Sequence, residues 1–112
     1  LVDVHPGGQA IHIAEGILRA RYRHGYDRQQ LLAPGEVATY RIELAPTSNV
    51  FLAGHRLRVE ISSSNFPRFN RNLNTGEDVA TGTRWEIAHQ TVFHDSVRAS
   101  HIVLPVIPRA AA

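Results

Sequence analysis

The chain of 112 residues contains no cysteine, no methionine and no lysine. Without cysteine there can be no disulfide and no thiolate zinc site, and the chain suits a reducing or an oxidising compartment equally. Without methionine there is no initiator, so a processed product or a fragment of a larger protein is expected. Without lysine, all 12 basic residues are arginine. Guanidinium groups do not lose their protons, so a pI near 9.7 does not mean a strongly basic surface. The net charge is only +2, too balanced for a nucleic-acid footprint. No apolar run approaches the roughly 20 residues that span a bilayer. No signal peptide and no basic amphipathic leader is evident. These absences predict no membrane partner and a cytoplasmic location, with secretion still open. No segment of useful length carries the helical period of apolar residues.

What remains is strand pattern and turn chemistry in an ordinary globular composition, 43% hydrophobic and 20% charged. Length allows one domain, 1–112. Leu1 to His5 and Ala10 to Ala14 alternate around Pro6-Gly7-Gly8, which predicts a hairpin. Val2 and Val4 should share a face with Asp3 opposite. After Gly16, Leu18, Ala20 and Tyr22 alternate with Arg19, Arg21 and Arg23. Arginines interleaved with tyrosines can mark a nucleic-acid patch. Strand spacing and the nearby acids Glu15 and Asp27 favour the solvent face of a strand instead. Asp27 to Ala33 has room for one helical turn, ended by Pro34-Gly35. Further strands are predicted over Val37 to Ala45, Arg56 to Ile61, Arg84 to His94 with a bulge near His89, and Ser100 to Ile107. Pro105 and Pro108 favour an edge position for the last. Short alternating strands separated by turns predict an all-β sandwich or barrel.

One stretch departs from pattern into chemistry. Ser62 to Ser64 lead into Asn65-Phe66-Pro67-Arg68-Phe69-Asn70-Arg71-Asn72, with two aromatics, two arginines and three asparagines in eight residues. Such a loop either anchors itself on its own sheet or presents itself to a partner. The segment RVEISSSNFPRFNRNLNTG resembles the signature of the C-terminal domain of the X-Pro dipeptidyl-peptidase and cocaine esterase family of serine hydrolases. DVHPGGQAIHIAEGILRARYR (Asp3 to Arg23) and AHQTVFHDSVRASHIVLPVIPR (Ala88 to Arg109) resemble two further segments of that domain, in the family's order.

The resemblance implies a jelly-roll, galactose-binding-like β-sandwich of which this chain holds the later strands. It implies a non-catalytic role beside the α/β-hydrolase domain of the same parent, an ester or amide hydrolase. There the domain would buttress the hydrolase fold, shape the substrate pocket and join oligomer contacts, a homo-oligomer being expected. Asn65, Phe66, Arg68, Phe69, Asn70 and Arg71 are the candidate interface or pocket-shaping residues, since aromatics and arginine are enriched at interfaces. A sandwich lacking its earlier strands should not persist as a lone monomer, because its apolar faces need cover.

Catalytic and metal chemistry find little footing. The family's nucleophile sits in a G-x-S-x-G elbow, absent here, so no catalytic residue carries over. Ser62, Ser63 or Ser64 with Asp95 and His94 or His101 would make a formal triad, but nothing places an oxyanion hole. His89, His94, Asp95 and His101 invite a metal, yet residues five apart on a strand face opposite ways. No metal and no cofactor is therefore expected. The alternative class is a free-standing module that binds carbohydrate or protein. For sugar stacking only Trp85 is a strong candidate, and its strand phase beside Ile87 places it in a core.

Overall fold

The computed structural model describes residues 1–108. Its chain forms two compact units, Leu1–Asn72 and Leu73–Ala112.

In the first unit β1 (Val2–Val4) and β2 (Ala10–His12) form the expected hairpin. The turn closes where the N–H of His5 donates to the carbonyl of Gln9 (2.8 Å) and that of Gly8 to the carbonyl of His5 (2.9 Å). Gly8 takes φ 89°, left-handed backbone that a side chain disfavours. β3 (Arg56–Arg58) lies on the other side of β1, giving an antiparallel sheet in the order β2-β1-β3. Val2 pairs with His12 and Arg58, Asp3 with Ile11 and Leu57, and Val4 with Ala10 and Arg56. As the central strand, β1 is buried throughout: Val2, Asp3 and Val4 are 7%, 5% and 2% exposed. Asp3 is thus buried although it faces away from the valines.

Gly16 marks a close approach of two backbones. The N–H of Ala45 donates to the carbonyl of Glu15 at 3.0 Å, and a Cβ at Gly16 would collide with the carbonyl oxygen of Glu43. Only glycine admits this contact.

The arginine-rich segment is not a strand. Ala20–Tyr22 form a 3₁₀ turn, η1, and the arginines diverge. Arg19 bonds Asn70, Arg21 bonds Gln29 at 3.0 Å, and Arg23 turns inward. The Arg23 side chain is 1% exposed and donates to the carbonyls of Ala20 and Gln30 and to Glu36. Two nearby carbonyls and one carboxylate outweigh the strand period here. Glu36 also accepts from the N–H of Ala33, and that bond first, then Arg23, holds its carboxyl below the usual range.

Elsewhere the alternation survives without a ladder. Ala38 and Leu44 are less exposed than their neighbours, yet Val37 to Ala45 is extended chain outside any strand. Arg84 to Ala88 and Ser100 to Ile107 also lie outside any strand, with Leu104 their one half-buried residue, and the helical turn expected over Asp27 to Ala33 does not form. Alternation reports which side is apolar, whereas a strand also needs a neighbour for its N–H and C=O groups. Among the described residues these segments make single backbone bonds to another stretch, from Ala45 to Glu15, Glu86 to Leu73 and Ser100 to Phe93, and no ladder. The fold is accordingly all-β in character, with a small antiparallel sheet and no α-helix in the described residues.

In the second unit, His94 and Ala99 form an isolated bridge around a turn organised by Asp95. One carboxylate oxygen accepts from the N–H groups of Val97 (3.0 Å) and Arg98 (2.7 Å), the other from the Arg98 guanidinium (2.8 and 3.1 Å). The guanidinium stacks 3.7 Å over the Phe93 ring. Asn74 sits at φ 59° and donates to the carbonyl of Glu86 at 2.9 Å.

Candidate functional site

Two constellations of side chains stand out in the first unit. One is the loop singled out by its composition. Ser62 and Ser64 spend their hydroxyls on the loop's own backbone. Ser62 Oγ donates to the carbonyl of Ser64 at 3.0 Å, and Ser64 Oγ accepts from the N–H of Phe66 at 3.4 Å. Such serine turns shape the approach to Pro67. The N–H of Phe69 then donates to the carbonyl of Asn65 at 3.0 Å, closing a tight bend over 65–69.

Glu15, just after β2, fastens this bend. Its carboxylate accepts from Asn65 Nδ2 at 3.1 Å and pairs with the Arg68 guanidinium, while His12 Nε2 lies 3.6 Å away. Arg19 bonds the Asn70 side chain and pins the far end. The candidate residues therefore divide. Asn65, Arg68 and Asn70 turn toward the body of the unit. Arg68 also lies 5.7 Å from the centroid of the half-buried Phe69 ring. Phe66 is 65% exposed, and Arg71 is exposed with no hydrogen bond or ion pair among the described residues. An apolar ring and a cation held outward by an anchored bend suit contact with another surface.

The second constellation has no precursor in the sequence pattern. Continuing the β1–β3 register by one pair sets His5 opposite His55. Strand alternation puts Asp3 and His5 on one face, so Asp3 and His55 are diagonal neighbours. His55 Nδ1 lies 2.9 and 3.1 Å from the two Asp3 oxygens, and His5 Nε2 lies 3.8 Å from Oδ2. The two rings meet with centroids 4.3 Å apart. Nδ1–H of His55 donates to a carboxylate that is otherwise out of water. One donor atom from each of Asp3, His5 and His55 lies within 4.8 Å of the others, the one such group of His, Asp and Glu among the described residues. Only the register brings residues 3 and 55 together, which is why spacing along the chain cannot find them. The histidines that spacing does single out go elsewhere. His101 Nδ1 is 2.8 Å from the carbonyl of Ala99, and Asp95 is committed to its turn. The backbone N–H of Arg98 and then its guanidinium hold the Asp95 carboxyl below the usual range.

Trp85 and Ile87 are 66% and 74% exposed, so the expected core position of Trp85 is corrected. The segment is in no strand, and within the described residues no second layer covers it.

The chain is 45% identical over 111 residues to cocaine esterase of Rhodococcus sp. (strain MB1 Bresler), which covers 97% of this chain and 19% of the relative. It is 32% identical over 124 residues to proteins of Mycobacterium bovis and Mycobacterium tuberculosis named as candidate serine esterases, covering 96% of this chain and 18% of each. The chain thus spans about a fifth of the length of the curated relatives it matches. No solved structure matches it significantly. The model of the X-Pro dipeptidyl-peptidase C-terminal non-catalytic domain matches residues 1–103. The chain belongs to that family of non-catalytic domains.

Proposed function

We propose that this chain is the jelly-roll, galactose-binding-like region of a larger serine hydrolase that cleaves esters or amides. It supports the catalytic domain, shapes one side of the substrate pocket and contributes to contacts between copies of the enzyme. The carrying observation is that relatives named as esterases match nearly the whole chain with only a fifth of their own length. The exposed apolar residues agree with it. Tyr40 and Ile42 on one segment, and Leu57, Val59 and Ile61 on another, are 40–62% exposed. Fully burying such a side chain is worth about 1.5–3 kcal/mol, so these faces gain much from cover by the rest of an enzyme. In this reading Phe66 and Arg71 make the contact, while Glu15 with Arg68 and Arg19 with Asn70 hold the bend in shape.

Combined substitution of Phe66→Ala and Arg71→Ala in the full-length protein tests the reading. Loss of kcat/KM by roughly tenfold, about 1.4 kcal/mol, with the sandwich still folded by circular dichroism, is the expected result. Wild-type kinetics together with wild-type melting would overturn it. The chain by itself should hydrolyse neither p-nitrophenyl esters nor Xaa-Pro anilides above the buffer rate.

The exposure of Trp85 favours a second reading, a carbohydrate-binding module using that ring as a platform. Ile87 is exposed as well, which suits a protein contact better than a sugar ring. Tryptophan fluorescence titrated with mono- and oligosaccharides separates the two readings.

A further inference from the structure

We propose that Asp3, His5 and His55 form a binding site for one divalent transition-metal cation of the zinc class.

The donor set carries the first part of the inference. Two imidazoles and one carboxylate are the borderline ligands that suit Zn²⁺, Co²⁺ and Ni²⁺, while Mg²⁺ and Ca²⁺ prefer all-oxygen shells. Three protein ligands leave a fourth, tetrahedral position for water. The geometry carries the second part. Donors held about 2.0–2.1 Å from a tetrahedral zinc stand roughly 3.3 Å from one another. Here one Asp3 oxygen, Oδ2, stands 3.1 Å from His55 Nδ1 and 3.8 Å from His5 Nε2, with all three donors within 4.8 Å. The spread brackets the required edge, so modest side-chain rotation suffices.

The surroundings supply the third part. Asp3 is 5% exposed and its backbone is locked into the centre of the sheet by ladders on both sides. The His55 side chain is 10% exposed, whereas that of His5 is 36% exposed and leaves a way in from solvent. Two of the ligands are therefore preorganised and the third can swing to admit the ion. In the metal-free arrangement the Nδ1 proton of His55 bridges to Asp3. The cation takes that proton's place and releases it. The ion would clip the β1–β2 turn to the chain entering β3, some fifty residues away. Gly54 already brings those turns close, since a Cβ there would stand 3.4 Å from Pro6.

The test is Co²⁺ titration of the full-length protein after chelator treatment, followed by visible absorption. Binding should produce the intense band of four-coordinate Co²⁺, removed by Zn²⁺ and untouched by excess Mg²⁺. His5→Gln changes the most exposed ligand and should leave metal-free melting as in the wild type. It should weaken Co²⁺ binding by about tenfold or more and abolish the rise in melting temperature that Zn²⁺ gives the wild type. His94→Gln should change neither readout. Absence of a band in the wild type at millimolar Co²⁺ would overturn the proposal. So would wild-type affinity in His5→Gln, or a band that disappears with His94→Gln instead.

Discussion

Two acidic residues organise two parts of this protein, and they do so under opposite conditions. Asp3 sits in the middle strand of the sheet, 5% exposed, with His55 as its hydrogen-bond donor. Asp95 sits at a surface turn, its side chain 42% exposed, and gathers two backbone N–H groups and the Arg98 guanidinium. Asp95 has more partners, but each of them could be replaced by water. Asp3 has fewer, and its bond to His55 lies where water has little access. The number of bonds is thus a poor guide to what holds the fold; the cost of leaving the group unpaired is the better one.

Breaking the buried pair should have the largest effect. His55→Ala leaves the Asp3 carboxylate in the sheet without its donor and should cost about 3 kcal/mol in urea unfolding. Replacing both partners by apolar residues, Asp3→Val with His55→Leu, should recover most of that loss. If the double variant is as unstable as the single one, burial is not what distinguishes the two acids.

Gly16→Ala comes next. Its Cβ would meet the backbone carbonyl of Glu43, and overpacking of this kind costs about 1–3 kcal/mol. The loss should appear as a lower urea midpoint with an unchanged slope. A stability gain would mean that the two segments part easily.

Glu15→Gln probes an intermediate case, a carboxylate side chain 27% exposed that pairs with Arg68. Global stability should fall by no more than about 1 kcal/mol, as for other partly exposed ion pairs. The readout that moves should be local: faster amide hydrogen exchange at Phe69, whose N–H closes the bend. Unchanged exchange there would show that the bend holds without Glu15.

The smallest effect belongs to Asp95 and reads out in pH. Its carboxyl is held below the usual range by the Arg98 N–H and guanidinium. A depressed folded-state pKa stabilises above the unfolded value, near 3.9, and that stabilisation is lost as pH falls through the folded one. Asp95→Asn should therefore flatten the acid limb of stability slightly and leave stability at neutral pH nearly intact. A wild-type acid limb in the variant would show that the surface network contributes nothing.

These contrasts mark how far the chain could be understood unaided. The hairpin was legible because Pro6-Gly7-Gly8 forces a turn and Val2 and Val4 alternate on either side of Asp3. The loop was legible because Pro67, the serines and the aromatic–arginine mixture announce irregular backbone. Its internal division was not, since Arg68 and Arg71 are alike in sequence and differ only in whether Glu15 is within reach. The alternation of Arg19, Arg21 and Arg23 misled, because the chain turns back after Tyr22 and brings the carbonyls of Ala20 and Gln30 and the Glu36 carboxylate onto Arg23.

By itself, then, the sequence determined the all-β character, the hairpin, the absence of cysteine for any disulfide within these residues, and the family. The first three follow from composition, period and local turn chemistry, which act within a few residues, and the family from the likeness of whole segments. Tertiary structure alone decided that Asp3 is buried, that His5 and His55 stack beside it, that Arg23 points inward and that Trp85 does not. The first two depend on which strand lies next to which and in what register, the last two on what the folded chain packs around each side chain. Register is set by the pairing of residues some fifty positions apart, and no local pattern encodes it.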